Sequence, residues 1–335
     1  MKTDFHHTIL AKHSGLTVSD FFQAYYPFMA DELHQNIFHH PIARQDALTK
    51  TQVTANSVLE QGQTLYWSID NYQEKPVNTN WHCLWRSDQP SRDGHNNLTK
   101  NLPHAIMAVH KPAELPVSRT TRNIYNTLTE LVRRESGWPE AQLLHRLDQD
   151  TSGIVLFAKN APAAEYWQPQ LHSLIQKKIY HAVVYGRPAW RQHACHAPLN
   201  TRHESPIRCQ MHVMTKGEKG KASTTLFKTL SSQKHYSIIE CELITGRKHQ
   251  IRAHLKHLGH PIIGDKIYAN NGEYFLKRLS DQLTSTDRER LLADHHLLFA
   301  QYISLIINQQ VIEIENPHYP HAWQYFCEQH GLNIT

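Results

Sequence analysis

The chain has 335 residues, of which 40% are hydrophobic, enough for two domains or one large domain with an appendage and too apolar for global disorder. Lys and Arg number 35 against 30 Asp and Glu, a formal charge of +5 that permits a polyanionic partner without requiring one. Five scattered cysteines (Cys83, Cys195, Cys209, Cys241, Cys327) exclude a disulfide framework, no apolar run reaches the ~18 residues of a membrane span, and the opening MKTDFHHTILAKHSG lacks a signal-type apolar core, so a soluble cytoplasmic protein is expected.

In chain order, residues 1–85 alternate short apolar runs with polar turns. Val18 to Tyr26 predicts a short helix that stops before Pro27, and Gln63 to Ile69 predicts a strand. Residues 86–103, RSDQPSRDGHNNLTKNLP, are polar and turn-rich and read as a linker. Beyond it AIMAVHKP (105–112) reads as a strand, Thr121 to Glu135 as a helix, and GIVLFAKN (153–160) as a buried strand. Pro162 to Gln176 predicts a helix that Pro169 kinks or splits. KIYHAVVYG (178–186) alternates, with Ile179, His181 and Val183 on one face and Tyr180, Ala182 and Val184 on the other. Strands follow at 222–230 and 236–246, a helix at 247–258, and a late hairpin from 297–306 and 311–315. Strands in succession with short connections predict an α+β fold, a largely antiparallel mixed sheet with flanking helices.

Two segments carry chemistry. In LLHRLDQDTSGIVLFAKN (143–160) the carboxylates of Asp148 and Asp150 stand beside His145 and Arg146, ahead of Thr151-Ser152-Gly153. An arginine two residues from an aspartate favours its ionised, nucleophilic form. In ITGRKHQIRAHLKHLGHPIIGDKIYA (244–269) Arg247 opens a helix whose basic residues Lys248, His249, Arg252, His254, Lys256 and His257 suit phosphates. Neither His254, His257 and His260 nor the set around Cys195 and His196 has the spacing of a metal site, and none is expected.

Together these segments resemble the RluA-type family of RNA pseudouridine synthases. The resemblance lies in His145-Arg146-Leu147-Asp148 with Thr151-Ser152-Gly153, in Lys178-x-Tyr180, in Gly220-Lys221-Ala222 with Thr225, and in Thr245-Gly246-Arg247 with His249-Gln250-Ile251-Arg252. His257-Leu258-Gly259-His260-Pro261, Gly264-Asp265 and the earlier His110-Lys111-Pro112 extend it, from about 105 to 315. It implies a synthase fold over residues 104–335, with residues 1–85 an accessory RNA-binding or degenerate S4-like region that lacks a convincing basic S4 signature. It implies that Asp148 is the nucleophile, that Tyr180 stacks on the target uracil, that Arg247 pairs with Asp148, and that Arg146 helps hold the nucleotide out of the stack. His145, Thr151, Lys178, Lys221, His249 and Arg252 would bind substrate. It also implies a monomer without metal or organic cofactor, acting on structured rRNA or tRNA. A departure stands at Glu114, where the family often has glycine in Lys-Pro-x-Gly. The competing readings are a non-catalytic RNA-binding protein of the same fold and a metal-dependent hydrolase built on the His and Asp residues.

Overall fold

The computed structural model of the protein describes residues 2–9, 11–25, 42–46, 49–70, 74, 76–89, 104–120, 123–280 and 282–333. They divide into two compact units. One contains residues 1–79 and 118–141, the other residues 80–117 and 142–335.

The first unit is built on an antiparallel sheet of β1 (Lys2–Thr8), β2 (Ile42–Asp46), β3 (Thr49–Val53) and β4 (Thr64–Asp70), in the order β1-β4-β2-β3. Helix α1 (Val18–Tyr25) turns Val18, Phe21 and Phe22 inward against Leu65, Trp67 and Ile124. The predicted helix of residues 121–135 is shorter. Thr127 accepts the Glu130 amide as N-cap, so α2 begins at Leu128 and ends at Glu135, while residues 121–122 lie outside the described set. Ahead of it the Glu74 carboxylate accepts the amides of Ile124, Tyr125 and Asn126 at 2.8, 2.6 and 2.8 Å. This segment therefore clusters with the N-terminal residues, a division that the expected boundary near 85–104 did not anticipate.

The second unit contains β5 (His82–Arg86), β6 (Ile106–Lys111), β7 (Gln142–Leu143), β8 (Ser152–Ala158), β9 (Ile175–Tyr185), β10 (Gln192–Cys195), β11 (Leu199–Asn200), β12 (His212–Val213), β13 (Thr225–Ser232), β14 (Tyr236–Leu243), β15 (Leu298–Ile307) and β16 (Gln310–Glu315). Its large sheet runs β10-β13-β14-β9-β15-β8-β6-β5, with β16 on β15 and β7 on β8. Only the β15–β8 pairing in it is parallel among the described residues. Strand β5 belongs to this sheet, not to the N-terminal region, and residues 90–103 of the expected linker lie outside the described set. Helices α3 (Ala161–Trp167) and α4 (Leu171–Leu174) are split around Pro169. They are followed by α5 (Gln250–His257), α6 (Glu273–Leu279), α7 (Ser285–Leu291) and α8 (His321–His330).

Apolar layers explain the mixed sheet. Every residue of β6 and β8 is buried, as continuous apolar runs predict for strands covered on both faces. Ile106, Leu156, Ile303 and Leu305 pack with Trp167 and Leu174 from α3 and α4, and Val183, Ile238 and Phe299 pack with Trp323 and Phe326 from α8. Strand β9 lies between β14 and β15, and Tyr180 to Val184 are buried on both of its alternating faces. Where β8 meets β15, Gly153 has φ +113° and a Cβ there would lie 2.2 Å from the Ala300 carbonyl oxygen, a position only glycine can fill. That glycine ends the segment that holds Asp148.

Candidate active site

Residues 145–151 form a loop before β8 that is pinned at three points. At its start the His145 imidazole accepts the Leu156 amide through Nε2 at 3.3 Å. Burial and then Lys178 lower the His145 pKa to about 3, so the ring is neutral and structural. In the middle, the fully buried Lys111 donates to the carbonyls of Gln149, Pro112 and Leu115 at 2.8, 2.8 and 2.9 Å. Burial lowers its pKa to about 7 against the opposing charges of Asp150, Asp148 and Glu114. At the far end Thr151 Oγ1 lies 2.7 Å from Nε2 of His296, both buried. Glu114 occupies the left-handed region at φ +66°, which accounts for the glycine often found there in the RluA-type pattern. Its carbonyl accepts Gln149 Nε2 at 3.0 Å.

Asp148 leaves this loop with its side chain 29% exposed. Its Oδ2 accepts Arg252 Nη1 at 2.7 Å. The same guanidinium uses Nε and Nη2 to grip Asp265 at 2.7 and 2.8 Å, a two-point fork that fixes the plane of Arg252. Asp265 is fully buried and is anchored in turn by the amides of Ile267 and Tyr268, at 3.0 and 3.1 Å. His249 approaches the second oxygen, with Nε2 3.7 Å from Oδ1. Among the described residues Asp148 Oδ1 accepts no hydrogen bond. Burial would raise the Asp148 pKa, but Arg252, His249 and His296 outweigh it and hold the carboxyl below its ordinary range. Asp265 is lowered in the same way, burial being outweighed by Arg252. One ionised aspartate thus has one oxygen fixed by Arg252 and the other without a hydrogen bond among the described residues.

The expected partner of Asp148 is corrected here. Arg252 makes the ion pair, while Arg247 is exposed and its Nε donates to the Ala222 carbonyl at 3.2 Å. The helix begins only at Gln250, which caps the junction by accepting the Arg247 amide at 3.0 Å, so the side chain reaching the pocket comes from inside α5. Tyr180 lies buried on β9, and burial with the charge of Asp148 raises its pKa well above the ordinary phenol value. Lys178, two residues earlier, is half-buried with its pKa lowered by desolvation, and its ammonium lies against Gly246. Arg146 and Lys221 are exposed, and among the described residues neither side chain has a hydrogen-bond or ion-pair partner. Asp150 turns away from this column. Burial is outweighed by Lys266, His296 and Arg278, with Lys266 Nζ at 3.7 Å and Arg278 Nη1 at 3.9 Å.

Sequence reasoning missed Asp265, His296 and Tyr268 as parts of the site. Gly264-Asp265 was visible as a motif, but its side-chain partner is 13 residues away. The tempting His254 is a core residue, with Nδ1 2.9 Å from Thr225 Oγ1 and Nε2 2.9 Å from the Ala197 carbonyl.

Residues 105–257 match the protein family described as RNA pseudouridylate synthase, a match consistent with the RluA-type resemblance. Among its relatives is "Ribosomal large subunit pseudouridine synthase D" of Zymomonas mobilis, 32% identical over 174 residues, which are 50% of this chain and 54% of the relative. Another is "tRNA pseudouridine(32) synthase, mitochondrial" of Saccharomyces cerevisiae, 36% identical over 170 residues, 50% of this chain and 36% of the relative. The chain spans about a third to about half the length of the curated relatives it matches. The fold is similar to that of a solved human RNA pseudouridylate synthase domain protein, with a TM-score of 0.52 and 20% identity over 73% of this chain and 86% of that one. Homologues with these names are isomerases.

Proposed function

We propose that this protein isomerises a specific uridine to pseudouridine in a structured RNA, with Asp148 as the nucleophile and the target base flipped out of its stack. The observation that carries this reading is the Asp148 carboxylate, ionised, fixed at Oδ2 by Arg252, and open at Oδ1. The reaction breaks the C1′–N1 bond, turns the uracil and forms C1′–C5, and the C5 proton departs as N1 regains one, so no redox partner is needed. Asp148 attacks the base at C6, attacks C1′, or takes the C2′ proton, and each route starts from the ionised carboxylate. The uracil must leave its stack to reach a half-buried group. Tyr180, buried within the field of Asp148, supports a stacking role worth about 1–3 kcal/mol per base.

Arg146, Lys221, Arg247 and Lys248 are exposed, which supports phosphate contacts by these side chains. The substrate class we favour is a uridine in a stem-loop of rRNA or tRNA, because an unpaired base costs least to extrude. The names of the two relatives above point to these RNA classes for those proteins. Five free cysteines support a reducing, cytoplasmic setting, and a site completed by one chain supports a monomer. No helix among the described residues is long and apolar enough to cross a membrane.

The test is pseudouridine mapping of rRNA and tRNA from cells with and without the gene. The expected result is one or a few sites lost, restored by the wild-type gene and not by Asp148→Asn. Unchanged maps, or restoration by Asp148→Asn, contradict the reading.

A further inference from the structure

We propose that Tyr268 is a positioning residue for this reaction: its hydroxyl, held by the 199–221 segment, fixes the imidazole tautomer of His249 and so the ring edge presented to Asp148. The inference rests on Asp148 being the nucleophile. Its starting point is a chain of contacts. Tyr268 Oη accepts the Met211 amide at 2.9 Å and lies 3.2 Å from His249 Nδ1. His249 Nε2 in turn lies 3.7 Å from Asp148 Oδ1, the oxygen left open by Arg252. Burial raises the Tyr268 pKa, so the phenol keeps its proton. Among the described residues its oxygen has no partner besides these two.

The proton assignment follows from satisfying each group once. The Met211 N–H can only donate, so Tyr268 Oη accepts it and its own O–H is available for Nδ1 of His249. Burial and Arg252 hold the imidazole pKa near 4, so the ring carries one proton at neutral pH. With Nδ1 accepting, that proton sits on Nε2 and points towards the carboxylate. The other tautomer would aim a lone pair at Asp148 and leave the tyrosine proton without a partner. A metal-bound histidine is fixed in its tautomer through its second nitrogen by the same logic. His249 itself stands at φ +52° just ahead of α5, and its ring is edge-on to that of Tyr268, with centroids 5.8 Å apart.

The segment that supplies the Met211 amide faces RNA chemistry at its other end. Leu199, Ile207, Met211 and Val213 pack on Ala253, Ile267 and Tyr268 in a small core of their own. Lys216, Lys219 and Lys221 on the same segment are exposed. RNA that settles this segment also settles the Met211 amide, and through Tyr268 the edge of His249.

The experiment is single-turnover pseudouridine formation with enzyme in excess over its mapped RNA, beside RNA affinity. Tyr268→Phe removes the hydroxyl and keeps the ring. The single-turnover rate should fall about tenfold, the effect of one lost hydrogen bond near a charge, while RNA affinity stays within about twofold. In a His249→Gln background the amide always offers a donor, so adding Tyr268→Phe should change the rate by less than about twofold. His249→Gln alone should also outperform His249→Ala several-fold, a comparison that stands even if the Phe variant does not fold. A Phe variant with weakened RNA binding and an unchanged rate would overturn the proposal, because Tyr268 would then only anchor the segment. Equal losses in both backgrounds, or equal rates for the Gln and Ala variants, would overturn it as well. A wild type that forms no pseudouridine sinks the enzymatic reading itself, whereas an active wild type with an unaffected Phe variant sinks only this inference.

Discussion

Two sets of charges surround the pocket, and they are built on opposite terms. In the interior, Asp265, Arg252 and Asp148 form a column in which each guanidinium nitrogen has an assigned oxygen, and Arg252 and Asp265 are essentially closed to solvent. On the rim, Arg146, Lys221, Arg247 and Lys248 are exposed. Buried charges persist only when paired, so the column holds the fold together and at the same time holds the Asp148 carboxylate in place. Rim charges contribute little to folding and are available to a polyanion. A charge near the pocket therefore has a role that depends on burial and partner, not on its position in a motif.

Removing the hub of the column should have the largest effect. Arg252→Ala leaves Asp265 buried without its counter-ion and Asp148 without its fixed oxygen. We expect a loss of about 3–5 kcal/mol of stability together with loss of activity. Denaturant unfolding checks this, and a variant that melts like the wild type would show that the column is not integral to the fold.

Acid should act next. Five buried histidines have depressed pKa values, near 3 for His110, His145 and His296 and near 4 for His181 and His249, each led by burial. The unfolded chain binds protons on them from about pH 6.5 downward while the folded chain does not, so stability falls as pH drops below 6.5, by up to about 1.4 kcal/mol per pH unit for each histidine. Asp148 and Asp265 have lowered folded values, so their contribution is complete above about pH 4 and is lost only below it. Melting temperature should decline from about pH 6 while activity of the still-folded enzyme holds to about pH 5. A melting temperature flat to pH 4 would contradict the neutral burial of these rings.

The rim should respond to salt rather than to denaturant. Arg247→Ala should leave stability within about 0.5 kcal/mol of wild type, weaken RNA binding and reduce the slope of log affinity against log salt by about one if it meets a phosphate. An unchanged slope would remove Arg247 from the RNA-binding surface. The smallest effect is expected at Glu114, where glycine should relieve the left-handed backbone and stabilise by about 1 kcal/mol without altering turnover.

Much of this was legible in the sequence. Apolar runs and turn residues placed β6, β8 and β15 close to where they fall, and Pro169 divided a helix as its missing amide requires. The stretch around Asp148 drew attention because two carboxylates stood beside a cation. What periodicity could not reveal was which arginine turns inward. On the helical pattern Arg252 shares a polar face with Lys256, yet its side chain is 5% exposed because Asp265 waits for it 13 residues further on. The role of Lys111, although its motif was visible, and His296 were hidden for the same reason. Their partners, Gln149 and Thr151, lie 38 and 145 residues away, and local pattern carries no information at that range. The capture of residues 118–141 by the N-terminal unit likewise depends on Glu74, some 50 residues before the amides it holds.

The central claim is that Asp148, and not its neighbour two residues on, performs the chemistry. The direct measurement is pseudouridine formation on the mapped RNA by purified wild type, Asp148→Asn and Asp150→Asn, with RNA affinity and melting temperature recorded for each. Asp148→Asn should fold, bind RNA and form no product, whereas Asp150→Asn, whose ion pairs are with Lys266 and Arg278 and not with Arg252, should remain measurably active. Product from Asp148→Asn at the wild-type rate would contradict the account.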